Sequence, residues 1–182
     1  AMSSSVNDTL VNFPVTFTTN KTYIVIADGN ISATGYSPAA PFGLAVYDMG
    51  REAATNAANT DVLVHHGATD APTVDVYETG VGAGMIIDDL SYKSFAGYLE
   101  LATNDYTLEV RDETGSNTVA TYSAPLSTLN LNGKAIVVVA SGFLNPANNS
   151  NGAAFGLYVA LPTGGSLVPL STPVTTSLEQ IE

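Results

Sequence analysis

The stretch VLVHHGATDAPTVDVYETG (62–80) holds two short runs rich in β-branched residues, separated by a polar connection. Residues of this type pack well on a pleated surface and therefore favour strands. The connection contains Gly, Asp and Pro, which turns use most often. The stretch predicts a strand, a short turn and a second strand. It also places both histidines of the chain, His65 and His66, at the end of the first strand.

The rest of the chain has the same organisation, with short apolar or alternating runs between clusters of Gly, Pro, Asn and Asp. Such regular spacing of short strands predicts an all-β fold, an antiparallel β-sandwich that is immunoglobulin-like in general shape. We expect about seven strands within residues 61–170 and three more before them. The predicted strands are 9–17, 22–29, 42–49, 61–67, 73–80, 92–101, 106–113, 118–126, 134–142 and 155–162.

An internal repeat is the most informative long-range feature. Shifting the sequence by 113 residues aligns residues 21–46 with residues 134–159 without a gap, and ten of the 26 positions are identical. The triplet FGL occurs near the end of both segments. Self-similarity at a fixed spacing indicates duplication of a structural unit. The second copy is then complete, and the first is represented by its last part.

This repeat predicts the domain organisation. Residues 61–170 form the complete β-sandwich copy, and residues 1–60 are the C-terminal part of a preceding copy, with three strands and a connector. Residues 171–182 are rich in Thr and Pro, lack a core pattern and predict an extended linker. Three strands bury too little apolar area to be stable alone. We therefore expect residues 1–60 to pack on the complete copy or to be completed in a homodimer.

The composition excludes several classes of function. The chain has 17 acidic and 5 basic residues, a net charge of −12, and no cysteine. A field of this sign repels phosphate backbones, which argues against nucleic-acid binding. Thiol catalysis, thiolate metal sites and disulfides are excluded. No run reaches the ~18 apolar residues that a membrane-spanning helix needs, so we expect no membrane insertion.

These motifs resemble those of the bacterial domain of unknown function 4397 family. Its opening strand, histidine and turn, followed by Asp-Ala-Pro-x-Val-Asp-Val, are similar to residues 62–76. The segments SYKSFAGYLELATNDYTLEVRDE (91–113) and LNGKAIVVVASG (131–142) resemble its later strands. The resemblance implies an exported, often tandem-repeated β-domain at an extracellular or cell-surface location. The family has no assigned chemistry, so the resemblance implies fold and location rather than activity.

The two histidines raise the question of a metal site. Adjacent residues of a strand point to opposite faces, so His65 and His66 cannot both bind one ion in regular β geometry. One of them could bind a metal together with Asp70 or Asp75. The structural interpretation is that one histidine is buried and hydrogen-bonded, while Asp70 caps the turn before Pro72. We favour this interpretation, and we expect Asp75 to be exposed and to pair with Lys93 or Arg111.

Acidic loops offer a second candidate site. The segment RDETGSN (111–117) carries Asp112 and Glu113 in a predicted hairpin turn. Calcium prefers loop carboxylates and carbonyl oxygens, so Asp112, Glu113 and Asp70 are the candidate ligands of a calcium ion. The segment lacks the full Asp-x-Asp-x-Asp-Gly pattern of a calcium loop. A metal-independent protein is therefore the favoured expectation, with calcium as the alternative cofactor.

Exposed tyrosines would provide a platform for sugars. Tyr36 lies in a predicted loop, and Tyr92 and Tyr98 are six residues apart, which places both on one face of an extended strand. These three residues are the candidate ligand-binding residues. The alternative is that they are half-buried, with hydroxyl groups at the rim of the core.

The sequence therefore favours a non-catalytic module of an exported multi-repeat bacterial surface protein, in adhesion or scaffolding. Its partners would be a glycan or a surface protein. The first alternative is a carbohydrate-binding or calcium-dependent adhesive domain. The second is a glycan-processing hydrolase, which would require two carboxylates converging in a cleft. A serine hydrolase is disfavoured because the chain lacks the Gly-x-Ser-x-Gly motif.

Overall fold

A computed structural model describes residues 11–173 of the chain. Within this range the polypeptide forms eleven β-strands and a short 3-10 helix, Pro146–Asn148. The strands are β1 (Ile24–Asp28), β2 (Gly43–Tyr47), β3 (Asn59–His66), β4 (Val74–Glu78), β5 (Gly84–Leu90), β6 (Phe95–Ala102), β7 (Asp105–Asp112), β8 (Thr118–Pro125), β9 (Ala135–Ser141), β10 (Gly156–Ala160) and β11 (Val168–Pro169).

Strands β3 to β11 form two sheets that pack face to face. One sheet has the order β11-β10-β9-β3-β6, and the other has the order β5-β4-β7-β8. All neighbouring strands are antiparallel except β3 and β9, which run parallel from Asp61 beside Ala135 to His66 beside Ala140. The prediction of an all-β sandwich is confirmed. The parallel pair arises because β3 opens the sandwich and β9 returns to it much later in the chain.

The hydrophobic core lies between the two sheets. Val62 and Val64 of β3, together with Val138 of β9, face the valines of β4 and β7 across it. Side chains alternate along a strand, so the intervening residues Leu63 and His65 point to the opposite, outer face of the five-stranded sheet. Both are nevertheless fully buried, with 0% exposure. Strand β3 must therefore be covered on both faces.

The cover on the outer face is a hairpin formed by β1 and β2, which constitutes a separate two-stranded sheet. Its register repeats that of β9 and β10: Ile24 lies opposite Tyr47, as Val137 lies opposite Ala160 113 residues later, and the other four pairs correspond in the same way. The turn that follows is also reproduced. The amide of Asn30 donates to Ala40 O at 2.7 Å, and that of Phe143 donates to Ala153 O at 2.9 Å. The duplication inferred from sequence thus has a structural counterpart.

The two copies of this hairpin differ in what covers them. Val25 is 44% exposed and Val46 is 41% exposed, whereas the corresponding Val138 and Val159 are 6% and 1% exposed. The face that forms core in the complete sandwich is therefore an exposed apolar surface on the β1–β2 hairpin. Its other face contacts the complete sandwich.

Three strand predictions need correction. Residues 11–17 of the predicted strand 9–17 have no strand structure, and residues 9 and 10 lie outside the described residues. Pro14 has no N–H to donate, and Phe13 and Phe17 instead pack against Phe42 and Tyr23 beside the hairpin strands, at centroid distances of 5.8 and 4.9 Å. Strands β5 and β11 were missed. The two β-bulges between β4 and β5 break the alternation that sequence patterns rely on, and β11 has only two residues.

We predict that Gly142→Ala will destabilise the sandwich. Gly142 has φ +84°, and a Cβ there would lie 2.3 Å from the carbonyl oxygen of Ala154. We expect a loss of about 1–3 kcal/mol in the free energy of unfolding, measured by urea titration. The control is Gly82→Ala, because Gly82 has φ +81° but no atom within 4 Å of the added Cβ. An equal loss in both variants would contradict the role of the close approach to Ala154.

Candidate functional site

The β1–β2 hairpin meets the five-stranded sheet through a buried polar pair. Asp28, at the end of β1, is 4% exposed and His65, at the end of β3, is 0% exposed. The Nε2 of His65 lies 3.0 Å and 3.2 Å from the two carboxylate oxygens of Asp28, so its N–H donates to that carboxylate. Gly67 makes this approach feasible, because a Cβ there would lie 2.9 Å from Asp28 Oδ1.

A second polar cluster surrounds Arg51, just after the hairpin. Its Nη1 donates to Asp61 at 2.6 Å and to Glu100 at 2.7 Å, and its guanidinium lies 4.6 Å from the ring centroid of Tyr98. Asp61 is fully buried. Burial alone would raise its pKa, but hydrogen bonds from the amide and hydroxyl of Thr55 and from Arg51 outweigh it and lower the pKa. Asp61 is thus a buried anion whose Oδ2 accepts all of these bonds, while its Oδ1 has no hydrogen-bond partner. We call the contacts of Asp28 and of Arg51 with the sheet, together with the ring of Tyr47 on Phe95 and Tyr98, the junction.

His66 lies on the opposite face of β3 from His65, as the spacing of adjacent strand residues predicts. Its Nε2 donates to the carbonyl oxygen of Pro72 at 2.9 Å, which fixes the connection between β3 and β4. Burial lowers the pKa of His66, the nearby His65 lowers it further, and the Pro72 carbonyl acts in the opposite sense. The two histidines therefore have separate partners, and each holds a different segment.

The three candidate tyrosines are not brought together on one strand face. Tyr98 lies beneath the hairpin, and its hydroxyl accepts a hydrogen bond from the amide of Arg51 at 2.9 Å. Tyr92 precedes β6, and the positive φ of Lys93 (68°) and of Gly97 (78°) breaks the extended geometry that the six-residue spacing assumed. Burial of its ring, with a smaller contribution from Asp28, raises the pKa of Tyr92 to about 12. Tyr36 packs on Phe143, with ring centroids 5.8 Å apart.

Asp70 joins loops rather than capping the turn before Pro72. Its carboxylate accepts the amides of Leu144 and Asn145 at 2.9 and 2.8 Å, and the side-chain amide of Asn149 at 3.0 Å. Asn149 is fully buried, and its Oδ1 accepts the amide of Ser37 from the β1–β2 loop at 3.0 Å. One carboxylate and one carboxamide therefore tie together three loops of the molecule.

The second acidic candidate, Asp112, folds its own hairpin turn. It accepts bonds from Thr114, Ser116 and Asn117, and these donors, above all the Asn117 side chain, lower its pKa. Glu113 lies next to it at the exposed tip of the same turn. Asp70 lies in the connection between β3 and β4, whereas Asp112 is the last residue of β7.

The prediction for Asp75 is wrong. Asp75 is 3% exposed, because the bulged strand β5 closes over it, and its Oδ1 accepts the amide of Asp89 at 2.9 Å. Arg111 lies opposite Asp75 in the register but pairs with Glu109 at 2.7 Å. Carboxylate oxygens of Asp75, Asp88 and Asp89 lie within 4.8 Å of one another. A carboxylate cluster therefore exists, at a place where the sequence did not predict one.

Sequence reasoning missed Asp28, Arg51, Asn149 and Glu78. Glu78 is 2% exposed and accepts the amides of Gly80, Val81, Ala83 and Thr107, which lower its pKa although burial opposes them. A signal for Asp28 was present in the repeat, where the second copy has Ser141 at the same position. A charge at the end of an apolar strand in only one copy indicates a contact that only that copy makes.

The two-sheet sandwich, with the β1–β2 hairpin on the outer face of its five-stranded sheet, is an all-β domain in which the polar side chains described above make internal contacts. Residues 60–149 match the model of the family described as Domain of unknown function (DUF4397), and through this segment the chain belongs to that family. The family resemblance inferred from the motifs is confirmed. Comparisons with curated proteins and with solved structures gave no match. Among the described residues, no helix is long and apolar enough to cross a membrane.

We predict that Asp28→Ser, which introduces the residue found in the second copy, will weaken the junction. The substitution leaves the buried Nε2–H of His65 without its acceptor, which costs about 1–3 kcal/mol in the free energy of unfolding. Urea unfolding and limited proteolysis of the hairpin measure the effect. Asp48→Ser is the matched control, since the ion pair of Asp48 with Lys21 is exposed and contributes little. The prediction is wrong if Asp28→Ser and Asp48→Ser lower the free energy of unfolding equally. It is also wrong if Asp28→Ser lowers the free energy of unfolding as much in the His65→Phe variant as in the parent chain.

We also predict acid sensitivity caused by His66. Because the pKa of His66 is lowered in the folded state, the unfolded chain takes up a proton first as the pH falls below the ordinary value of 6.5. Stability is therefore lost as the pH falls below this value, by up to about 1.4 kcal/mol per unit of pKa difference. Asp61 and Glu78 act in the same direction, but only near and below their ordinary values of 3.8 and 4.5. Urea unfolding at about pH 7.5 and 5.5 should show a smaller pH effect in His66→Gln than in the parent chain. An unchanged pH effect would contradict the assignment.

Proposed function

We propose that the chain is a non-catalytic module of an exported multi-repeat bacterial surface protein, where it serves scaffolding or adhesion. The observation that carries this proposal is the junction. The last strands of one repeat copy pack on the outer face of the next copy, through the Asp28–His65 pair and the Arg51 cluster. A scaffold built from repeats requires a fixed geometry between consecutive units, and such an interface supplies it.

The chemistry of the junction supports a rigid connection. Asp28, Asp61 and His65 are each at most 4% exposed, so water does not compete for their hydrogen bonds. Removing one partner of such a bond leaves a buried polar group unsatisfied, which makes sliding of the two units costly. The aromatic contacts of Tyr47 with Phe95 and Tyr98, at 5.2 and 6.0 Å, add directional packing.

The environment of the candidate site residues also favours a structural role. Asp70, Asp112 and His66 each hold a loop or turn through specific hydrogen bonds. Tyr98 is part of the junction. These groups already act as hydrogen-bond partners that position the loops.

A second candidate function is a calcium-dependent adhesive domain. The cluster of Asp75, Asp88 and Asp89 favours it, because oxygen ligands from carboxylates are what calcium prefers. Against it, Asp75 is only 3% exposed and its Oδ1 already accepts the amide of Asp89.

We predict that the hairpin and the sandwich behave as one rigid body in solution. The chain has no cysteine, so Val46→Cys and Val119→Cys provide two selective labelling positions on exposed side chains, 41% and 38% accessible. Pulsed electron paramagnetic resonance on the spin-labelled pair should give one narrow distance distribution. Asp28→Ser in the same background should broaden it. A broad distribution in the parent chain would contradict the scaffold proposal.

Calcium separates the two candidate functions. Under the scaffold proposal, neither the distance distribution nor the melting temperature differs between calcium and chelator. A specific ion at 100 times its Kd would stabilise the fold by about 2.7 kcal/mol and raise the melting temperature by several degrees. Such a rise, lost in Asp88→Asn, would favour the calcium-dependent domain instead.

A further inference from the structure

Strand β1 has a free edge. Among the described residues it pairs with β2 alone, in a sheet of two strands. The corresponding strand of the second copy, β9, lies between β10 and β3. The same backbone thus has one neighbour in the first copy and two in the second. An unpaired edge offers a row of backbone donors and acceptors to an incoming strand.

The backbone groups on this edge can be assigned from the repeat. In the second copy, the amide of Gly67 donates to Ala140 O and that of Asp61 donates to Lys134 O. Since strand groups alternate with a period of two, Val138 and Ala140 direct both backbone groups toward β3. Val25 and Ala27 occupy the same positions in β1, 113 residues earlier. Their N–H and C=O groups therefore face the free edge, while Ile24 and Ile26 bond to β2.

A groove with a volume of about 910 Å³ runs beside this edge. Its wall is the continuous segment 23–30, which contains all of β1. Its floor is the outer face of β9 and β10, where Val137, Val139, Tyr158 and Ala160 present a largely apolar surface. A strand added to β1 would direct every second side chain onto this floor and the others toward the side of the exposed Val25.

We propose that the groove is an acceptor site for one extended strand of β3-like sequence, supplied by a repeat unit that does not hold this strand in a sandwich of its own, and added parallel to β1. The type of strand follows from the internal repeat, since β3 is the strand that the equivalent edge of β9 holds in parallel. In that register Val64 lies beside Val138, so the corresponding valine of the incoming strand lies beside Val25. Strand addition of this kind combines main-chain hydrogen bonds with side-chain pockets at alternate positions.

The site borders the junction, since Asp28 and Arg51 also line the groove, but the two use different groups. Side chains of the junction lie on the face of the hairpin that contacts β3 and β6, whereas strand addition uses the backbone edge of β1 and the floor on β9 and β10. The inference goes beyond the proposed scaffold function, and each can fail without the other. The rigidity of the junction is measured without any added strand.

The test uses the full chain and a fluorescent synthetic peptide of residues 59–66, NTDVLVHH, which is its own β3 sequence. We expect saturable binding by fluorescence anisotropy, and no binding of the reversed sequence HHVLVDTN, which has the same composition but a different order of side chains. Val25→Pro removes the central donor of the edge but no bond to β2, and should weaken binding by about tenfold or more. Val25→Thr, which keeps the amide, is the matched control.

A second variant keeps the test valid if Val25→Pro does not fold, which circular dichroism will show. Ala160→Trp fills the floor of the groove without altering the backbone of β1 and should abolish binding, whereas Val119→Trp, at an exposed position of β8, should not. Lack of peptide binding, equal binding of the reversed peptide, or binding that neither variant weakens would overturn the proposal. Light scattering could instead show a homodimer that Val25→Pro dissociates and that the peptide does not dissociate. This result would also overturn the proposal, in favour of edge-to-edge pairing between two copies of this chain.

Discussion

Strand β3 is buried on both faces, and the arrangement of the rest of the molecule depends on covering it. On the inner face the second sheet supplies the cover, through ordinary packing of valines and leucines. On the outer face Leu63 and His65 are fully buried although no second sheet of the sandwich lies there. An imidazole without its hydrogen bond would be costly in that position. The hairpin therefore has to bring both an apolar surface and an acceptor, and Asp28 is that acceptor.

The remaining buried polar groups follow the same logic. Asp61 lies four residues before His65 on the same face of β3. It accepts hydrogen bonds from Arg51 and Thr55, which belong to the segment that follows the hairpin. Glu78, on the other sheet, accepts four backbone amides, three from the loop that follows it and one from the neighbouring strand β7. In a chain with five basic residues, most carboxylates must be satisfied by backbone and side-chain donors rather than by ion pairs. This explains why so many acidic residues hold turns.

The sandwich was predictable because it depends on local pattern. Runs such as KAIVVVASG are apolar on both faces, and they became the central strand β9. The site was less predictable because it depends on contacts between distant residues. Asp28 and His65 are 37 positions apart in the sequence. Asp75 is buried by the bulged strand β5, which the sequence pattern does not reveal because it contains a glycine and two adjacent aspartates. The prediction that Tyr92 and Tyr98 share one face assumed an extended strand between them. The positive φ angles of Lys93 and Gly97 interrupt that extended geometry.

The two copies of the hairpin show how one backbone serves two roles. Their registers agree at all five residue pairs, and their turns share Gly29 and Gly142, each with a positive φ and a close carbonyl. The copies differ where each meets its surroundings. Asp28 contacts His65 on the next unit, whereas Ser141 at the same position lines the open groove. The junction depends on several differences between the copies. Asp28 stands where the second copy has Ser141, with Gly67 opposite to admit it, and Tyr47, which packs on Phe95 and Tyr98, stands where the second copy has Ala160. The buried contact and the open surface therefore differ through a set of side chains at matching positions, while the strand register is the same.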